Sequence, residues 1–266
     1  MPHASVNSRM IFLSPHPDDA VLSCGGWIYQ LAQNGERPIV MTIFGGDRPA
    51  DVPLSSFALS LHERWQLGAD APARRRDEDR AACDRLACYL LPLPFADAAY
   101  RVEPVTRHYV YDSEEAIFGE VRDREVIDRV VEAVQARLQH VSDKVRLVVP
   151  LTAGKHVDHV ITRMAAERLN ADVIYYEDYP YAEQPERMTH VWGRAEGAAG
   201  GTAREWASET VGLSEAALQA KIEAFLEHRS QISTFYRDDE EVRQRMRAYA
   251  EWVGQGCPTE RYWRQV

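Results

Sequence analysis

The stretch Met10-Ile11-Phe12-Leu13-Ser14-Pro15-His16-Pro17-Asp18-Asp19 decides how this chain is read. Its unbroken apolar run suits a strand buried on both faces. A histidine and two adjacent carboxylates follow at once, and residues 20–34 then have helical character, closed by Gly35. A buried strand passing directly into a helix is the unit from which parallel α/β sheets are built. In such sheets ligands bind outside the carboxyl ends of the strands, which is where the histidine and aspartates fall.

The pattern recurs along the chain. Residues 38–44 read as a second strand, ended by Gly45-Gly46, residues 76–87 as a helix and 88–91 as a third strand. Val121, Val126, Ile127, Val130, Val131, Val134 and Leu138 repeat at helical spacing within 120–140. A strand over 146–150, a helix over 159–169 and a strand over 173–176 follow. The alternation predicts an α/β, Rossmann-like fold: a mostly parallel sheet with helices on both faces.

Three segments break the rhythm. Residues 46–73 carry Pro49, Pro53 and Pro72 and form a long connection, a type that is usually functional or mobile. Residues 92–119 hold the aromatic cluster Tyr100, His108, Tyr109, Tyr111 and Phe118, expected in core or lid packing. Residues 193–204 are Gly/Ala-rich and read as a flexible loop. Residues 214–236 predict one long helix with Ser214 as its N-cap. With no internal repeat and no clean linker, the expectation is a single domain over 1–266.

Composition narrows the class. A chain of 266 residues, 45% hydrophobic and 27% charged, is ordinary for a globular protein. A formal net charge of −10 argues against nucleic acid or an anionic membrane surface as the main partner. The only dense basic run, Arg74-Arg75-Arg76, is followed at once by Asp77-Glu78-Asp79 and reads as a solvated face, with one arginine reaching substrate as the alternative. Cys24, Cys83, Cys88 and Cys257 form no CxxC pair, which points to reduced thiols rather than a cysteine zinc site. The first nine residues lack the apolar stretch of a signal peptide, and no run reaches the ~20 apolar residues a membrane span needs. The expectation is a soluble, cytoplasmic protein.

A second cluster, His156-Val157-Asp158-His159, follows the apolar run that ends at Pro150-Leu151. Two strand ends that each deliver imidazole and carboxylate suit one divalent-metal site with a spare carboxylate beside it. His16, Asp19 and His159 would supply two nitrogens and an oxygen, a set for Zn²⁺, Fe²⁺ or Co²⁺ rather than Mg²⁺. Asp18 cannot readily chelate the same ion as its neighbour and is left as a base for the attacking water. A protonated His156 could stabilise an oxyanion or protonate a leaving amine, and Asp158 could orient an imidazole. Taken singly, paired aspartates are often helix caps and a lone His-x-x-His is often a surface pair. Their combination at two strand ends is what carries the reading. Gly25-Gly26 belongs to no GxGxxG or GxxxxGK[ST] loop and reads as helix packing, while Ser14 and Cys24 read as structural.

His16-Pro17-Asp18-Asp19 together with His156-x-Asp158-His159 resembles the LmbE/PIG-L family of zinc-dependent N-deacetylases. The resemblance covers roughly the first 180 residues. It implies zinc on His16, Asp19 and His159, Asp18 as general base, and His156 as electrostatic catalyst or acid. It also implies an arginine on the Arg75 helix in contact with substrate hydroxyls. Softer matches are Glu78, Lys221 and Ser230-Gln231. Ala20 stands where many members have Glu, and Gly154 leaves no tyrosine hydroxyl where some members use one to help hold the oxyanion. The implied function is hydrolysis of an N-acyl amide, foremost N-acetyl, on an amino sugar such as N-acetylglucosamine or its conjugate. Alternative readings are an amidase on a secondary-metabolite or thiol conjugate, and a non-catalytic metal- or sugar-binding protein that kept the fold. The implied partner is a small N-acylated sugar or conjugate, with a homo-oligomer allowed.

Overall fold

Residues 10–14 of β1 (Ser8–Ser14) are all buried, and successive side chains enter opposite cores. Met10 and Phe12 join one hydrophobic cluster, Ile11 and Leu13 the other. This is why the run lacks polar alternation: the strand lies mid-sheet with both faces covered. The computed structural model describes residues 8–141, 144–192 and 205–266.

Parallel to β1 run β2 (Ile39–Thr42), β3 (Tyr89–Leu90), β4 (Lys144–Pro150) and β5 (Asp172–Tyr176). The antiparallel strands β6 (Trp206–Gly212) and β7 (Thr259–Gln265) complete a seven-stranded sheet in the order β3-β2-β1-β4-β5-β7-β6. The helices are α1 (Asp19–Gln33), α2 (Ser56–Trp65), α3 (Ala71–Leu86), α4 (Glu114–Ile117) and α5 (Glu125–Leu138), then α6 (Val157–Ala166), α7 (Thr189–Trp192), α8 (Glu215–Phe225), α9 (Arg229–Phe235) and α10 (Asp239–Val253). On one face α8 packs against α1 and α3, and on the other α5 packs against α6. The fold is α/β with a mostly parallel sheet covered on both sides.

Strand order positions the site. The chain builds β1, β2 and β3 outward in one direction, then crosses to β4 on the other flank of β1, in register with it from Ser8↔Lys144 to Phe12↔Val148. That reversal is the topological switch point, where adjacent loops diverge and leave a crevice. The loops after β1 and β4 carry the two polar clusters.

Several expectations are corrected. The segment 214–236 is two helices, α8 and α9, broken at His228, whose backbone (φ −78°, ψ 59°) leaves the helical region. Ser214 caps α8 as expected, accepting the N–H of Ala217 at 3.1 Å. The connection 46–73 contains α2, capped by Ser55, and Pro72 opens α3 in its first turn, where a missing N–H costs nothing. Helix α10 and the β6–β7 pair had no counterpart in the sequence reading. Residues 193–204, read as a flexible loop, lie outside the described residues. No described helix is long and apolar enough to cross a membrane.

Candidate active site

The turn after β1 is built by Ser14, whose hydroxyl donates to the His16 carbonyl at 2.6 Å and accepts the Ala20 N–H at 3.0 Å. This closes the strand-to-helix corner over His16, Asp18 and Asp19. Asp18 stands at the N-cap of α1 but makes no side-chain cap, and its φ of 153° is a strained value for a residue with a Cβ. The Asp18 side chain therefore does not cap α1. Ala20 is fully buried in the core behind the turn.

Asp19 Oδ2 lies 3.2 Å from His16 Nδ1 and 3.3 Å from His159 Nε2. Bonds of about 2.0–2.1 Å in a tetrahedral shell put neighbouring donor atoms about 3.3 Å apart, so these are the edge lengths a zinc polyhedron requires. The second nitrogen of each histidine faces a buried carboxylate. His16 Nε2 is 3.0 Å from Asp158 Oδ2, and His159 Nδ1 is 2.5 Å from Asp178 Oδ1. Carboxylates behind metal-binding imidazoles fix ring orientation and raise basicity. His156 adds a third imidazole: one ligand atom from each of His16, His156 and His159 lies within 4.8 Å of the others. His16, Asp97 and Asp158 form a second such group. The donor set and its carboxylate backing fit a divalent ion that prefers nitrogen and oxygen.

Electrostatics follow the same lines. Burial disfavours charge on His159, yet Asp19 and Asp178 outweigh it and raise the imidazole to about 9. Burial likewise opposes ionisation of Asp19, but His159 and His16 hold its carboxyl well below the usual range. Asp18 differs from its neighbour: burial and the adjacent Asp19 charge push it up to about 8.

The Asp158 carboxylate meets the imidazole of His16 at 3.0 Å. Fully buried, it also accepts the Ala98 N–H at 2.9 Å and receives Arg101 Nη1 at 2.5 Å. His156 caps α6, its Nδ1 accepting the Asp158 N–H at 3.2 Å. Burial, with His16 alongside, holds its pKa well below the ordinary value, so the protonated state expected from sequence is disfavoured. With Nδ1 accepting, the neutral ring carries its proton on Nε2.

Arg75 is buried on the wall beside Asp18, with Nη2 3.9 Å from Asp18 Oδ2, Nη1 3.3 Å from Asp97 Oδ2, and its guanidinium over Trp65. The softer matches are mostly architectural. Glu78 accepts the Ser230 N–H at 2.9 Å and its hydroxyl at 2.6 Å, while Lys221 pairs with Glu260 at 2.7 Å. Gln231 does reach the cavity. Of the aromatic cluster, Tyr100 and Tyr111 are core residues, and Phe118 lines the site beside His156. Sequence reasoning missed Asp97, Arg101 and Asp178. The only signal for Asp178 was a carboxylate just past an apolar strand, which is common.

His16, Asp18, Asp19, His156 and Arg75 all face one cavity of about 370 Å³, walled by Phe57, Trp65, Phe118, Tyr181 and Phe235. It has room for a sugar-sized group above a cluster of nitrogen and oxygen donors.

Comparison with known proteins agrees with this arrangement. Residues 11–170 match the family described as PIG-L, GlcNAc-PI de-N-acetylase. The 2'-N-acetylparomamine deacetylase of Niallia circulans is 32% identical over 190 residues, covering 65% of this chain and 68% of the relative. Among solved structures, the zinc-inhibited form of teicoplanin deacetylase Orf2 superposes with a TM-score of 0.78 at 26% identity, covering 96% of this chain and 97% of the other. The A40926 pseudoaglycone deacetylase Dbv21 gives 0.76 at 27% identity, covering 97% of both chains.

Proposed function

Since the chain belongs to the PIG-L family of de-N-acetylases, we propose that it is a metal-dependent hydrolase that removes an N-acyl group, foremost acetyl, from an amino sugar or its conjugate. The observation that carries this is Asp19 Oδ2 set between His16 Nδ1 and His159 Nε2, with Asp18 left outside that set on the same cavity. Retention of Asp18, in a strained and uncapped conformation, beside His16, Asp19, His156 and His159 favours catalysis over a binding role. The relatives named above are deacetylases of 2'-N-acetylparomamine, of teicoplanin and of the A40926 pseudoaglycone, which favours an N-acylated small-molecule conjugate as substrate. We read the whole chain as one catalytic domain.

His16, Asp19 and His159 would hold the ion, zinc by preference, with iron or cobalt as substitutes. When bound, it supplies Lewis acidity to the acyl oxygen and acidity to a water. Asp18 takes that water's proton; its raised affinity for a proton suits a base working near neutrality. Asp158 and Asp178 hold the two ligating rings in place. His156 donates Nε2–H towards the oxygen on which charge develops. Arg75, over Trp65 and against Asp97, screens Asp18 and faces substrate hydroxyls. The proton Asp18 has taken is then delivered to the leaving nitrogen, so the products are acetate and a free amine.

The test is release of acetate and primary amine from a panel of N-acetylated sugars and glycoconjugates with zinc supplied. Turnover that is abolished by a chelator and restored by zinc is the expected result. Release of no amine from any member of the panel by metal-loaded protein overturns the reading.

A further inference from the structure

The cavity wall carries a cation that hydrolysis does not use. Arg187 donates Nε–H to Gln184 Oε1 at 2.7 Å, and among the described residues no carboxylate pairs with it and neither Nη finds a protein acceptor. The other lining arginines differ. Arg75 faces Asp97, and Arg245 is taken by Glu183 and the Phe235 carbonyl. Only Arg64, exposed on α2, shares the lack of a carboxylate partner among the described residues. In a chain of net charge −10, uncompensated arginines on the wall of the active-site cavity run against the overall field.

Arg187 is held in position. Its guanidinium lies 5.6 Å from the Phe118 ring centroid and 5.3 Å from that of Tyr181. Phe118 packs edge-on against His156 at 5.3 Å, and Tyr181 against His159 at 6.2 Å. The guanidinium is thus one ring removed from each of two site histidines. Gly154 makes room for it. That glycine has a φ of +84°, its N–H donates to the Arg187 carbonyl at 3.1 Å, and a Cβ there would come within 3.3 Å of both Arg187 Nη1 and the Tyr181 ring. A fork of donors pinned between rings loses little freedom on binding and matches a planar or tetrahedral oxyanion.

We infer that Arg187 is a specificity-determining residue that binds an anionic oxygen group, a carboxylate or a phosphate, carried by the N-acylated sugar conjugate. This rests on the hydrolase reading and narrows its substrate class. A polyamine sugar would bring ammonium groups against Arg187, so cationic conjugates are disfavoured.

The experiment compares kcat/KM of the zinc-loaded enzyme for N-acetylglucosamine, its 6-phosphate, and the same sugar bearing a lactyl ether carboxylate. The two anionic arms distinguish phosphate from carboxylate. Wild type should prefer at least one anionic sugar over the neutral one. Arg187→Met, which keeps the apolar stem between the rings, should lower that ratio roughly tenfold to a hundredfold, the range for hydrogen bonds to a charged group. Arg187→Lys should restore part of it. Calorimetric binding of the deacetylated products to both proteins reads the same contrast without turnover. An anionic-to-neutral ratio that is unchanged in Arg187→Met, in turnover and in product binding, overturns the inference while leaving amide hydrolysis intact. Loss of hydrolysis for every sugar, with the binding contrast preserved, counts against the hydrolase reading alone.

Discussion

Asp158 lies two residues from His156, yet its carboxylate meets the ring of His16, 142 residues away, at 3.0 Å. Its other oxygen is held by Arg101, whose charge burial opposes but Asp158 and Asp123 more than restore. The loop after β1 is thus braced from the loop after β4, through a carboxylate that is itself held in a buried ion pair. Removing one member of such a pair costs far more than the pair contributes.

Asp158→Asn should therefore lower metal affinity about 10–100-fold, as loss of a carboxylate behind a ligating imidazole typically does. Asp178→Asn should do the same through His159. Chelator competition on the purified variants measures both, and retention of wild-type affinity in both would show that the rings need no such support.

Asp18→Asn should keep its metal and lose turnover by ~10²–10⁴-fold, the size of a general-base contribution. Asp19→Asn should lose the metal. Metal analysis beside single-substrate kinetics separates the two, and the reverse outcome would exchange their roles.

His156 both caps α6 and faces the cavity, so Ala and Asn replacements should differ. Asn is a good N-cap. His156→Asn should match wild type in thermal stability while losing ~10²–10³ in kcat, the usual effect of deleting one oxyanion donor. His156→Ala should lose kcat and melt lower, with metal content unchanged in both. Near-normal kcat in His156→Asn would leave capping as its whole role.

His228 gives a pH-dependent stability. It is fully buried at the α8–α9 break with neither ring nitrogen partnered, and burial, aided by Arg75, lowers its pKa to about 3. The unfolded chain takes up this proton near pH 6.5, the folded protein only near 3, so the contribution is present above pH 6.5 and is lost as pH falls between the two. From pH 7 to pH 5 the loss is about 2 kcal/mol. Urea unfolding of wild type and of His228→Phe across this range should differ in pH dependence by that amount, the wild type losing more stability towards pH 5; an identical pH dependence in the two would place the titration elsewhere.

What the sequence disclosed follows from where its patterns are strong. The β1 run and the His16–Asp19 turn were legible because a two-faced strand leaves no polar alternation and the turn packs its chemistry into four residues. The β6 strand was not, because its largely exposed edge lacks an apolar run. The break at His228 was hidden because the apolar spacing continues through it while the backbone does not. Asp97 and Asp178 are single carboxylates whose partners lie far off in sequence, and no spacing announces them. The lowered pKa of His156 comes from burial, which spacing alone does not reveal.

The adjacency of β1 and β4 has a consequence for folding. If His16, Asp19 and His159 hold an ion as proposed, the set is complete only once two strands distant in sequence have paired, and a partly assembled sheet would offer an incomplete site. Such a site would bind the ion chiefly in the assembled state, and free metal concentration would then become a thermodynamic variable of folding. Each tenfold rise in free ion above its dissociation constant should add about 1.4 kcal/mol to the unfolding free energy. The supply of free ion would thereby set how much of this chain persists in folded form, apart from any effect on its rate of catalysis.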